Sequence, residues 1–564
     1  MSGRRPRLVL CDPCLDRVGA HPWAYAVALA AAAAAEGMEC EVVCHERFRA
    51  PAGAVPRVRP LLRRHGHSRL TAFAELERLE SSPARRPGAG WGGWLRPRDW
   101  LRADGRRRRI ARFAADIAPV VDGLSPGDLF LVATASELDV AGLALAIAAR
   151  RPPAGIGWHL QFHAPLLSAE PGDGDDGRIR RVRRILGRAL ARAAPHRLRF
   201  HATTAELAAE WTLAGAEATG VLPWPVAERW AAGAAPAGAA AGGRVRASLL
   251  GDARAEKNSQ LVAAFADAIA ADSALAARLR LAVQTNPGFP ADSRRPADRA
   301  VAEALAAVRS RGDGLVEAVE GPLGDDALLD EIGRADALLL PYDPVRYRRR
   351  LSALLLEARA AGRVGIVSGG GWMARQYLRA HRAHAAGLLA RLPPLAEERA
   401  APADLAVGQR LPRDLHPPAG ADTAVVEAVW RPLAPPAGST GAADAPLRVA
   451  LGHGAALLAA APDGGAVPAV FRIGEGDPRP ATLLLEAPGP GAVHVAALTV
   501  RWLRAGRAVP LGAEGIVLAR PDRGVDGLRE FVEHRDHYAA SAAAAAANVA
   551  LAHAPRRVLG ELLA

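Results

Sequence analysis

Short apolar runs alternate with helix-period stretches along the first 226 residues, the pattern of a parallel α/β sheet. "RLVLC" leads into an apolar helix over 22–36 and then "ECEVVC". "DLFLVATAS" (128–136) precedes the helical "ELDVAGLALAIAARR", and "GIGWHLQFH" (155–163) precedes a basic helix over 177–194. "RLRFHATT" (197–204), a helix near 205–214 and "ATGVLPWPV" (218–226) complete this set. Residues 227–243, mostly Ala and Gly, have the composition of a linker. A second alternating set then predicts strands at "GRVRASLLGD", "RLRLAVQTNPG", "GLVEAVEG", "ADALLLPYD" and "RVGIVSGG". The helices between them fall at 256–272, 296–310, 324–333 and 352–361.

The rhythm fails near 377. Residues 400–512 are rich in Pro and Gly and carry short strand-like pieces such as "AVVEAVWRPL", "ATLLLEA" and "GAVHVAALTVRWLRAG". Such spacing suggests a β-sandwich. α/β character returns after 512. The predicted fold is therefore α/β, with two Rossmann-like lobes (1–226 and 244–376), a β-sandwich-like insertion in the second, and 513–564 returning to that second lobe. Ligands of open α/β sheets sit at the carboxyl ends of the strands, so both lobes are expected to face a shared cleft.

Composition changes this picture little. The 564 residues are half apolar, with a formal charge of +13. Of the 72 basic residues 71 are arginine, and the only lysine is Lys257. An arginine bias this strong discounts charge alone as functional evidence, although it favours anionic partners. No apolar run reaches the roughly 18 residues of a membrane span. The N-terminus lacks the apolar core of a secretory signal, so a cytoplasmic protein is expected. Cys11, Cys14, Cys40 and Cys44 have spacings that permit zinc on paper. Their strand setting favours small buried hydrophobes, so no metal site is expected.

The chemistry concentrates in two stretches. "LLGDARAEKN" follows a strand and opens a predicted helix, where backbone N–H groups and the helix dipole favour an anion. Arg254 and Lys257 can converge there on one diphosphate beside Gly251. Lysine would supply a compact mobile charge that arginine's flat fork does not reproduce. In "YDPVRYRRRLSALLLEARAAGRVGIV" (342–367), Ser352 starts a helix beyond a strand. Glu357 lies in an otherwise apolar helix and needs a partner: two ribose hydroxyls, or a local arginine such as Arg359 or Arg363.

Together these stretches resemble the second lobe of retaining glycosyltransferases of the GT-B fold, the large family-four group. "R-A-E-K" is similar to that family's donor-diphosphate loop, and "E-A-R-A-A-G-R-V-G-I-V" to the later half of its glutamate motif. The resemblance implies catalytic roles for Arg254 and Lys257 on the leaving diphosphate and nucleotide contacts from Gly251, Ser352 and Glu357. The family's first motif glutamate aligns with Arg349. Its donor-sugar contact then falls to Arg349, Arg350 or Ser352, or belongs to an unusual donor, or is lost with turnover. In the first lobe, Gly19 matches a glycine that lets the backbone approach the donor. His21 would reach the cleft, and His163, ranked above His159, matches a histidine near the sugar.

The implied activity is metal-independent transfer of a hexose-type sugar from a nucleotide-diphosphate donor, a co-substrate rather than a cofactor, to a glycan or lipid-linked acceptor. A nucleotide-sugar epimerase or hydrolase, and a non-catalytic carbohydrate-binding scaffold, are the alternatives. Arginine runs at 96–113 and 178–194 are read either as contacts with an anionic membrane or as solvated helix faces. No nucleic-acid partner is expected. Trp430 and Trp502 are the sole hints of a sugar platform in the insertion.

Overall fold

The protein is described from a computed structural model. It covers residues 4–18, 21–51, 53, 56–63, 97–166, 174–217, 219–230, 243–433, 446–473, 481–488, 492–505 and 509–564, with backbone alone at 21, 97–104 and 174–176. Gly19 lies outside the described residues. The chain divides into two compact units. The first holds 1–166, 177–225 and 553–564, and the second holds 167–176 and 226–552.

In the first unit, seven strands form one parallel sheet: β1 Arg7–Cys11, β2 Glu39–His45, β3 Arg57–Leu62, β4 Leu129–Ala135, β5 Gly157–Phe162, β6 Leu198–Ala202 and β7 Gly220–Val221. Their order, β3-β2-β1-β4-β5-β6-β7, is doubly wound. Central strands such as β1 and β4 are nearly continuous apolar runs because helices cover both faces. β3 extends the sheet beyond the elements the alternation predicts, since its "RVRPLL" carries two arginines and reads as polar. The last helix, Pro555–Leu563, packs on helix His21–Ala35 of this unit. It was expected in the second lobe. Burial of Val558, Leu559 and Leu562 in the first unit decides the matter.

The second unit contains β8 Val245–Leu249, β9 Leu279–Gln284, β10 Val316–Val319, β11 Ala337–Leu340 and β12 Val364–Ser368. The chain then leaves this sheet for a sandwich of nine antiparallel strands. They are β13 Ala396–Ala400, β14 Ala403–Leu405, β15 Arg410–Leu415, β16 Thr423–Pro432, β17 Leu447–Leu451, β18 Gly454–Leu458, β19 Val467–Arg472, β20 Ala481–Glu486 and β21 Val493–Leu503. It returns as β22 Gly515–Leu518, giving the parallel order β10-β9-β8-β11-β12-β22. This is again the doubly wound order, with the sandwich spliced before its sixth strand. The fold therefore matches the expected class: two Rossmann-like α/β sheets and a β-sandwich insertion.

The sandwich pairs the sheet β13-β21-β16-β19, joined by β14, with the sheet β15-β20-β17-β18. Trp430 and Trp502 are 6% and 0% exposed in its core, so neither offers a sugar platform. Inward apolar side chains alternate along β17 and β20, which is why these strands face a shared core. Arg472 at the end of β19 ties the insertion back to the parallel sheet's helices. Its guanidinium donates to Glu530 at 2.6 Å and to the Val509 carbonyl at 2.9 Å.

Candidate functional site

Strand order reverses between β8 and β11, and in open α/β sheets the crevice beyond the carboxyl ends at such a point receives the ligand. The chain leaves β8 through Leu250 and Gly251, and leaves β11 through Pro341 and Tyr342. A recess between them is lined by Gly251, Lys257, Gln284 and Tyr342, among others. Gly251 has φ +87°, and a Cβ there would stand 2.8 Å from the Lys257 ammonium. Glycine is thus required on two counts, the left-handed backbone and the close approach of the lysine. Its N–H donates to the Gln284 side chain at 2.7 Å, so β9 fixes the turn.

The segment 251–261 is not the start of a long helix, as the sequence pattern predicts. Ala255–Lys257 and Ser259–Leu261 are 3-10 turns, and the α-helix begins only at Val262. Asn258 breaks the run by adopting a left-handed φ of 56°, and its amide donates to the Pro341 carbonyl at 2.8 Å. Asn tolerates this conformation better than most side chains. The turn lifts Lys257 over the end of β11, with Nζ 5.5 Å from the Tyr342 ring centroid. Burial, then Arg254, lowers the Lys257 ammonium to about 8, while Asp252 and Glu256 oppose them.

Arg254 belongs to the same cluster. Its guanidinium donates to Asp252 at 3.0 Å and lies 3.7 Å from Glu256. Its Nε is buried without a hydrogen-bond partner. The loop at Gly288 packs so closely on it that a Cβ there would come within 2.6 Å of that Nε. Arg350 lies 3.8 Å from Glu256 on the other side. Two carboxylates thus interleave with these cations. Asp252 and Glu256 stand in the quoted "GDARAEKN" and were the legible signal that reading only its cations passes over. Gln284, Tyr342 and Asn258 carried no comparable signal.

Ser352 caps helix Ala353–Ala360, its Oγ accepting from the Leu355 N–H at 3.3 Å, and it also bonds the Tyr342 hydroxyl. It therefore belongs beside the recess, as does Leu354, 4.0 Å from the position of a Gly251 Cβ. Arg349 is 8% exposed and buried among its neighbours.

Glu357 pairs with neither of the local arginines expected as its alternative partners. Its carboxylate accepts from the Ala227 N–H at 3.2 Å and from the Trp230 indole N–H at 2.7 Å. Arg359 instead pairs with Glu514 at 3.0 Å, and Arg363 donates to the Gly333 carbonyl. Burial raises the Glu357 carboxyl to about 7 against the pull of those two N–H donors. The donors come from the turn Glu228–Trp230 and from Ala227 just before it, in a stretch the composition marked as a mere linker.

The first-unit histidines take structural partners. His163 Nε2 lies 2.6 Å from the Ala133 carbonyl and donates to it, and its ring meets Trp224 edge-on. His159 is 1% exposed and shares a 3.0 Å hydrogen bond with the stacked His201. Burial lowers these two imidazoles to about 3 and about 4. His21 begins a helix. The cysteines gather no metal-binding set among the described residues; burial pushes the Cys40 and Cys44 thiols up to about 12. Among the described residues the one group of suitable ligands, Glu530, Glu533 and His534, is occupied by the Arg472 guanidinium.

No family model and no curated protein matches the chain. Among solved structures, it is similar to the N-terminal domain of a Candida albicans trehalose-6-phosphate phosphatase, at 12% identity and TM-score 0.43, over 67% of this chain and 86% of that one. It is similar also to a UDP-forming α,α-trehalose-phosphate synthase from Burkholderia vietnamiensis, at 16% identity and TM-score 0.40, over 66% and 87% of the two chains. A third is the corresponding Burkholderia xenovorans enzyme in complex with glucose-6-phosphate, at 14% identity and TM-score 0.43, over 66% and 88%. These are distant likenesses, and the architecture described above rests on this chain's own strand order.

Proposed function

We propose that the protein is a glycosyltransferase that moves a sugar from a nucleotide-diphosphate donor to a glycan, lipid-linked or other acceptor, with retention. One observation carries the reading: Lys257 and Arg254 stand together beyond the carboxyl ends of β8 and β11, on a turn that only glycine at 251 allows. In the reaction, the bond from the anomeric carbon to the diphosphate oxygen breaks as the acceptor oxygen bonds to that carbon. The acceptor's proton passes to the departing phosphate. Charge builds on the leaving group as the sugar gains oxocarbenium character, and preorganised cations lower that barrier most. Arg254 supplies one by exchanging Asp252 and Glu256 for phosphate oxygens, Lys257 supplies the other beside it, and the Ser352 region flanks the same position.

The retained-binding, lost-turnover alternative has its own support. Arg349 stands where a motif glutamate is expected, and Glu357 is already engaged by Ala227 and Trp230. A non-catalytic carbohydrate-binding scaffold would follow. Calorimetry with UDP, GDP and ADP, followed by donor-turnover assays across several acceptors, separates the two. Absence of all nucleotide association overturns both.

A further inference from the structure

Sugar transfer uses only the charge of Lys257, yet the side chain is also an amine, and the chain has no other lysine. Among the described residues its ammonium takes no hydrogen bond and no ion pair. What it meets is the Tyr342 ring, with Nζ 5.5 Å from the centroid, and the side-chain-free backbone of Gly251. The carboxylates nearby are held by other cations. Asp252 lies 3.0 Å from the Arg254 guanidinium, and Glu256 lies 3.7 Å from Arg254 and 3.8 Å from Arg350.

An ammonium with no acceptor, part-buried beside a guanidinium, loses its proton more readily than one in water. Burial first, then Arg254, brings Lys257 down to about 8. About a tenth of it is then free amine at pH 7, against about three in ten thousand for an ordinary lysine. A desolvated lysine next to another cation is an activated nucleophile. Such an amine in an anion recess invites a reagent that carries an electrophilic carbon on a phosphate.

We propose that Lys257 is a self-acylation site for acyl phosphates, the mixed anhydrides of a carboxylic acid with phosphoric acid. The inference rests on the cation placement that also carries the nucleotide reading, and not on sugar transfer. Arg254 holds the phosphate end, which brings the acyl carbon to the amine. The nitrogen lone pair bonds to that carbon as the bond from the carbon to the bridging oxygen breaks. The oxygen keeps the electron pair and departs as inorganic phosphate, which takes the surplus amine proton. The product is a neutral amide, so acylation removes one cation from the recess and weakens nucleotide association by about 10- to 150-fold. Because every other basic position is arginine, the reaction has one ε-amine to find.

The test is incubation of the full chain with acetyl phosphate near neutral pH, with Nα-acetyl-lysine in the same tube as the reference amine, read by peptide mass spectrometry. Lys257 should acetylate about a hundredfold faster than the reference, somewhat less than its excess of free amine because a weaker base is a weaker nucleophile. Its rate should saturate with acetyl phosphate and fall when inorganic phosphate is added. Arg254→Gln should abolish the saturation while leaving an amine that still reacts. A rate no greater than that of the reference, a rate linear in acetyl phosphate, or a rate indifferent to inorganic phosphate overturns the proposal, and the last two need only the wild-type protein. Phosphate-protected acetylation without association of UDP, GDP or ADP supports the acylation site and refutes the nucleotide reading alone. Nucleotide association with an unreactive Lys257 refutes the acylation alone.

Discussion

Replacing Lys257 by methionine keeps the reach and apolar stem of the side chain and removes only its charge. In the folded protein, burial and Arg254 bring the ammonium from 10.5 down to about 8. Holding it charged at neutral pH thus costs the fold at most on the order of 3 kcal/mol, less for the solvent it retains. Above about pH 8 the folded protein has released this proton while the unfolded chain keeps it up to 10.5. Stability from this group therefore rises with pH across that window and is flat below it. Lys257→Met should lack that rise and be no less stable at pH 7.

Binding has the opposite sign. A diphosphate beside Lys257 favours the charged form and draws its pKa back up, so nucleotide association takes up a proton as pH exceeds 8. Affinity should be level near neutrality and fall as pH rises from about 8 to about 10, by at most tenfold per pH step of one. At neutral pH the methionine variant loses one charged contact of about 1.5–3 kcal/mol, or about 10- to 150-fold in Kd. Calorimetry in buffers of different ionisation enthalpy reads affinity and proton uptake together. If Lys257→Met binds UDP, GDP and ADP as wild type does, or if the alkaline decline persists in it, the cation site is wrongly placed.

Three other outcomes follow from the same structure. Trp230→Phe removes the indole donor from Glu357 but keeps the ring, and should tighten nucleotide binding by several-fold if a ribose competes for that carboxylate; titration of the variant checks this. The Glu357 carboxyl is raised to about 7 from 4.5, so its stabilisation is complete below 4.5 and lost as pH climbs through 7. Glu357→Gln should flatten the Tm–pH profile between those values and raise Tm at pH 8 relative to wild type. Gly365→Ala would drive a methyl into Tyr377, whose ring fills the slot between the paired Gly365 and Gly515 of β12 and β22, and should cost about 1–3 kcal/mol in denaturant unfolding.

The parallel sheets were legible in the sequence because strands buried on both faces must be apolar throughout, and β4, β11 and β12 are. The sandwich was legible because short strands must be joined by close turns, which the Pro and Gly of 400–512 mark. The loop holding Arg254 and Lys257 could be found as well, since its position after β8 follows from the strand pattern alone. Other features depend on contacts remote in sequence. Asn258's left-handed turn is fixed by a carbonyl 83 positions away, and it converts an expected helix start into 3-10 turns. Glu357 takes its partners from 127 and 130 positions upstream, where composition shows only a linker. The terminal helix joins the first unit through packing alone. Periodicity reports which side of an element leaves water, and a local motif reports which charges are adjacent. Neither reports which distant group will satisfy a buried carboxylate or carbonyl, because that choice is made only when the chain closes on itself.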